Sequence, residues 1–385
     1  MTFRQKAILG AAVLVVSGAL IASCSLGTEE GPGPGDNSQP RYLAMSGDFT
    51  GAKDGGVDDR FRVIFDDGSS EAGDTFSPTY NSRPLRYGEG FVYGTRDHVR
   101  VINAGGREVE SHPVKGSGLV NERATSPSAS AVSLAFSGDG ADGPAERVAT
   151  LHDGELHVAE TEGYFTKGLT TCDDGSAIWL EEVGRSEQWK VATISSEGQV
   201  ERFDDPEGAF EGSINDARFD CGEDGAIVTV SGEDGETVRR AVENVRTAPK
   251  VSDEEDLSDP VDGHYHAEDD AMPQSSGVTT DGAFQMDREG NYRKMPLEMG
   301  RPVKTGQFDI GGGTAHHVTY DGDRVVISYT RDADSGDLEI ATFSATDPEE
   351  KIGHLVIAES SRDSNSDTAT EVNGKSSAIR TLFPL

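Results

Sequence analysis

From about Arg41 onward the chain alternates short apolar runs with acidic, glycine-rich breaks. Residues 61–65 (FRVIF), 98–102 (HVRVI), 132–136 (VSLAF) and 155–159 (ELHVA) are early examples, and 177–180 (AIWL), 226–230 (AIVTV) and 324–329 (RVVISY) follow later. Each run is rich in β-branched or aromatic side chains and ends at turn residues, the pattern of strands joined by hairpins. Sustained helical periodicity is missing from the body. The predicted class is all-β.

The spacing adds an architecture. Residues 172–179 (CDDGSAIW) and 221–228 (CGEDGAIV) align as a strand end, an acidic glycine turn and a new apolar strand. Comparable onsets fall near Tyr42, Gly88, Val132, Gly175, Gly225, Val278 and Gly322. A period of roughly 45–50 residues fits four-stranded propeller blades, which bury both sheet faces only by stacking around an axis. Seven onsets predict a seven-bladed β-propeller, with six and eight blades as alternatives. Residues 376–383 (SSAIRTLF) are placed to add a last strand to the first blade. A pair of β-sandwich domains would also give short strands at regular spacing.

The turn pattern resembles that of bacterial WD40-like and YVTN-type propellers over most of 41–385, although no Trp-Asp dipeptide closes any blade. The resemblance implies an architecture and says little about activity.

The first residues carry a different pattern. Arg4 and Lys6 precede an uncharged apolar stretch, 7–21, that is short for a membrane span and reads as a signal peptide. It ends Leu20-Ile21-Ala22-Ser23-Cys24, which resembles the bacterial lipobox. That resemblance implies removal of 1–23 and acylation of Cys24, with two acyl chains giving lasting attachment to a membrane face. No second Arg adjoins Arg4, which disfavours twin-arginine export. Residues 24–40, with Gly31-Pro32-Gly33-Pro34-Gly35, have nothing to bury and are expected to act as a disordered spacer. The propeller then occupies 41–385, and the expected location is the extracytoplasmic face of the cell membrane.

Charge narrows the partners. The chain has 34 Lys+Arg against 69 Asp+Glu, a net charge of −35, which excludes a nucleic-acid binder held by phosphate neutralisation. Acidic residues concentrate in 252–274, around Gly263-His264-Tyr265-His266, and this stretch is expected to be an insertion between blades.

Candidate chemistry is sparse. His264 and His266, two apart among carboxylates, have the donor types of a divalent-metal site, but no third ligand follows at a diagnostic spacing. Asp363, Asn365 and Asp367 place oxygens as in a Ca²⁺ loop, yet Thr368 stands where the sharp turn wants Gly, so Ca²⁺ would bind only weakly. No other cofactor is expected. Gly311-Gly312-Gly313 lacks the Lys of a phosphate loop and reads as a turn entering a strand. Cys172 and Cys221 end equivalent repeat strands; a disulfide is permitted in an oxidising compartment and requires those strands to lie near the axis. No nucleophile elbow or zinc-protease helix is present, and paired carboxylates of a glycosidase are assembled in space and cannot be read from the chain. The expected function is therefore a lipid-anchored propeller that binds or scaffolds an envelope protein or a glycan. The alternative is an exported propeller enzyme of the glycoside hydrolase or quinone-dependent dehydrogenase type.

Overall fold

The computed structural model describes residues 38–46, 59–76, 83–115, 118–140, 143–163, 165–183, 188–231, 237–256, 276–296, 298–331, 337–357 and 379–385. These residues form twenty-eight strands and no helix. The strands assemble into seven four-stranded antiparallel sheets, the blades of a propeller.

The first blade begins with β1 (Pro40–Ser46), β2 (Asp59–Phe65) and β3 (Ser70–Phe76). Five blades of consecutive strands follow. They are β4 (Leu85–Tyr87) to β7 (Glu108–Pro113), β8 (Val120–Thr125) to β11 (Glu155–Glu160), β12 (Thr166–Thr171) to β15 (Val200–Asp204), β16 (Ser213–Phe219) to β19 (Lys250–Asp256), and β20 (Ser276–Thr279) to β23 (Lys304–Gln307). The seventh comprises β24 (Thr314–Asp321), β25 (Arg324–Thr330), β26 (Leu338–Ser344) and β27 (Lys351–Ile357). β28 (Ile379–Pro384) then returns to pair with β1 and becomes the inner strand of the first blade. This clasp covers the edge that β1 would otherwise expose, with Leu43 opposite Phe383 and both side chains buried.

Six of the seven repeat onsets fall at the second strand of their blade, as at Tyr42 in β1, Val132 in β9 (Ala131–Gly140), Gly225 in β17 (Gly225–Ser231) and Gly322 just before β25. Val278 falls one strand early, in β20. The second strands are the most apolar because both of their faces are covered. The β13 strand (Ala177–Glu182) is buried from Ala177 to Glu181, with Trp179 fully enclosed.

Apolar clusters fill the spaces between neighbouring blades. Trp189, Phe210, Phe219 and Val228 join the fourth and fifth, while Phe284, Phe308, Tyr329 and Phe343 join the sixth and seventh. Further clusters bridge the first and second, second and third, third and fourth, and seventh and first. The seam between the fifth and sixth blades differs. Among the described residues it holds Asp216, Arg218, Thr229 and Arg239 together with Ile227, Ala283, Met295 and Pro296 around a cavity of about 20 Å³, room for a single water.

One boundary differs from the expectation. The acidic stretch predicted to leave the blades at Ser252 stays in the sheet as far as Asp256, in β19. An outer strand tolerates such a composition because one side faces water and β18 (Thr237–Glu243) supplies counter-charges: Arg240 Nε lies 2.8 Å from Glu254, and Arg239 bonds Glu255. Residues 257–275 lie outside the described residues.

Candidate functional site

The inner strands β28, β4, β8, β12, β16, β20 and β24 ring the axis, and hydrogen bonds between neighbours fix their heights. Thr125 Oγ1 donates to the Arg86 carbonyl (2.8 Å), Thr171 Oγ1 to the Ala124 carbonyl (3.3 Å), and the Phe219 amide to Thr170 Oγ1 (3.2 Å). Arg86 also reaches Asp321 at 3.0 Å. Three or four residues back along each strand from these pins stand Arg83, Glu122, Lys167, Asp216 and His317. At about 3.3 Å per residue they share a level roughly 10 Å further along the axis. Arg123 adjoins Glu122, and Lys167 Nζ lies 4.0 Å from Glu122 Oε1. Close packing of the ring depends on Gly168 (φ +63°), where a Cβ would stand 2.5 Å from that of Ala217. At Gly277 a side chain would overlap the Tyr320 ring.

The electrostatics are those of a confined, partly wet space. Burial pushes the Glu122 carboxyl up to about 7, opposed by Lys167 and reinforced by Asp216 and Glu146, yet 31% of its side chain still meets solvent. Burial also raises Glu146, opposed by the neighbouring Thr166 and by a hydrogen bond from Asn121 at 2.7 Å. Arg83 is pushed down by burial and then by the like charge of Arg123, although a guanidinium keeps its proton. Burial lowers Arg123 to about 10 against the pull of Glu122. Burial and the Arg83 charge press His317 down to about 3, so its imidazole is neutral, and its Nε2 has no hydrogen-bond partner. Next to this level, Arg218 is lowered by burial while Asp216, 3.3 Å away, opposes the shift. Cationic groups thus gather at the axis of a strongly acidic protein. Such a site can hold an anionic group on its guanidinium side and carry a proton near neutrality on its Glu122 side.

The antiparallel order sets which connections flank this site. Inner strands begin on the face that also carries the turns between second and third strands, and the charged level lies towards that face. The connections 47–58, 257–275 and 358–378 leave from it and lie outside the described residues. So do the sequence candidates His264 and His266, and Asp363, Asn365 and Asp367, which occur in the second and third of these connections. Cys24 lies outside the described residues as well. Among the described residues no group of three or more His, Cys, Asp or Glu is arranged to hold a metal, and no helix is long and apolar enough to cross a membrane.

Cys172 and Cys221 follow the inner strands β12 and β16 and are disulfide-bonded with Cα atoms 5.5 Å apart. They sit at the opposite face from the charged level. Gly311 and Gly312 adopt positive φ in the turn into β24. The axial group itself escaped sequence reasoning because its members are isolated residues on different strands. A signal was present, namely the charged or polar stretches Asn121-Glu122-Arg123 and Asn215-Asp216 in runs otherwise suited to inner strands.

No family model matches the chain, and no curated protein matches it in sequence. Among solved structures, a protein of unknown function from Bacteroides caccae is 12% identical with a TM-score of 0.38, over 90% of this chain and 99% of that one. BamB from Moraxella catarrhalis is 11% identical with a TM-score of 0.34, covering 72% and 76%. The dihydro-heme d1 dehydrogenase NirN is 13% identical with a TM-score of 0.42, covering 83% and 73%. None of these likenesses carries an argument about activity. The seven-bladed propeller is established by the sheet order of this chain.

Proposed function

We propose that this chain is a lipid-anchored, extracytoplasmic propeller that binds or scaffolds an envelope protein or glycan at the face where its inner strands begin. The observation that carries the reading is the confined charged group at the axis, flanked by the longest inter-strand connections. Rigid rings that present loops around a polar axial site are well suited to selective binding. The Cys172–Cys221 disulfide supports an oxidising location. Anchorage at Cys24 fits the geometry too. β1 begins on the opposite face, so a spacer entering at Pro40 would tether that face and turn the axial site away from the bilayer. Sixteen spacer residues, 24–39, reach at most about 55 Å when extended.

A test of the binding face compares the wild-type chain with the E122Q and R123Q variants by cross-linking in isolated envelopes, followed by mass spectrometry of the adducts. The reading expects one discrete partner or glycan, with its adduct diminished in both variants. Identical adduct patterns in all three proteins would remove its support. For the anchor, intact-mass analysis of the membrane fraction expects acylated Cys24 at the mature N-terminus; an unmodified Cys24 in an intact chain would refute it.

The carboxyl of Glu122, held near neutral beside Asp216 and Lys167, favours one second reading, that of an exported glycoside hydrolase with Glu122 as general acid. Turnover of an envelope glycan that is abolished in E122Q would select it over the binding module.

A further inference from the structure

We propose that a pocket between the fourth and fifth blades, at the rim of the face where the inner strands begin, binds a saccharide that carries no acidic group. The inference rests on the reading of that face as a binding face and names a ligand class taken away from the axis.

The pocket has a volume of about 410 Å³, inside the range of roughly 300–1,000 Å³ typical of ligand sites. Its walls come from the residue after β13, the start of β14 (Trp189–Ile194), the end of β15 and the connection 205–212 into β16. These segments share one face, because the turns between second and third strands and the connections from blade to blade lie on the same side of the ring.

The frame is held by the fold. Phe210 is fully buried and anchors the connection in the apolar cluster of the fourth and fifth blades. Asp205 accepts the Ala209 and Phe210 amides at 2.9 and 2.7 Å, and the Trp189 indole donates to the Gly212 carbonyl at 3.1 Å. Arg240 reaches from the fifth blade to the Glu211 carbonyl at 3.2 Å. Walls fixed in this way leave little ordering for a ligand to impose.

The chemistry of the walls selects the ligand. Lys190 Nζ and Asp204 Oδ1 stand 2.9 Å apart, a donor beside an acceptor, with side chains 32% and 79% exposed. Neighbouring sugar hydroxyls, each donor and acceptor at once, match such a pair. The edge of Trp189, with Pro206 and Gly208, supplies apolar surface for the C–H face of a sugar ring. Among the described residues of the walls, Lys190 is the one cation against Asp204, Asp205, Glu207 and Glu211, so a uronate or a phosphorylated sugar is repelled. Among the described residues these carboxylates are not arranged to hold a metal. A neutral or amine-bearing saccharide is the ligand that fits.

The experiment is a saturation-transfer NMR titration of the purified chain with cellobiose, lactose, maltose, chitobiose and cellobiouronic acid, together with thermal melts. At least one of the non-acidic disaccharides is expected to bind, and cellobiouronic acid is expected not to. The K190A/D204A double variant should weaken that binding at least ~10-fold. It should melt like wild type, since an ion pair this exposed contributes little to stability. E207Q/E211Q keeps the shape of both side chains and removes their charge, so it should retain the non-acidic sugar and admit cellobiouronic acid. A merely structural role for the two glutamates would leave that selectivity unmoved. The inference is overturned if no disaccharide binds at tens of millimolar, if cellobiouronic acid binds wild type as well as the others do, or if K190A/D204A titrates like wild type. Failure of every saccharide while the envelope adduct persists removes this pocket and leaves the binding face standing.

Discussion

At the residue scale, the axial group makes stability depend on pH in two opposing ways. Glu122 keeps its proton up to about pH 7 when folded, whereas an unfolded glutamate releases it near 4.3. The folded state therefore binds more protons between those values, and stability falls as pH rises through the window. His317 acts in the other direction. Its folded value near 3 lies below the unfolded value of 6.5, so the unfolded chain binds more protons between them and stability rises with pH there. Where the windows overlap the slopes offset each other. E122Q should be more stable than wild type at pH 8 by roughly 1–2 kcal/mol, allowing for its contact with solvent, and equal to it at pH 4. It should also lose stability more steeply below pH 6.5. Urea denaturation at a series of pH values checks both points, and equal midpoints at pH 8 would show that Glu122 is not held protonated.

At the element scale, two devices hold strands that no single blade could retain. The β28 strand closes the ring by backbone pairing with β1. The Cys172–Cys221 bond ties the ends of adjacent inner strands across 49 residues of chain; its Cys172 end lies in the apolar cluster that joins the fourth and fifth blades, and Cys221 is exposed. The C172S/C221S double variant should lose roughly 2–4 kcal/mol in denaturant unfolding. Reductant should lower the wild-type midpoint towards that of the variant and leave the variant unmoved.

At the scale of the whole molecule, the ring is unevenly sealed. Apolar clusters occupy six interfaces, whereas the seam of the fifth and sixth blades mixes Asp216, Arg218, Thr229 and Arg239 with Ile227, Ala283, Met295 and Pro296. Arg239, 2% exposed, spans that seam by bonding Glu255 on its own blade and the Pro296 carbonyl (2.7 Å) on the next. R239M keeps much of the volume but leaves that carbonyl unpaired and Glu255 with only the Gly300 amide, 3.4 Å away, at a cost of about 2–4 kcal/mol. Hydrogen exchange should locate the effect: amides of β16 and β20 exchange faster in the variant, and those of β12 stay protected. Uniform acceleration across all blades would show that the seam is no weaker than the other interfaces.

The strands, their class and their sevenfold repetition were legible in the chain, because alternating burial and glycine turns are local demands that each segment meets by itself. The second strands were clearest, being covered on both faces, as at Trp179. β19 was misread as loop because its acids are neutralised by Arg239 and Arg240 of the strand beside it, a pairing that only the sheet creates. The pairing of Cys172 with Cys221 likewise needed their strands to stand next to each other at the axis. For the same reason the axial group was invisible in the sequence. Arg83, Glu122, Lys167, Asp216 and His317 belong to five blades, and only ring closure brings them to one height. Periodicity therefore determined how many sheets would form, and the heights and neighbours set by tertiary packing decided which charges would face one another.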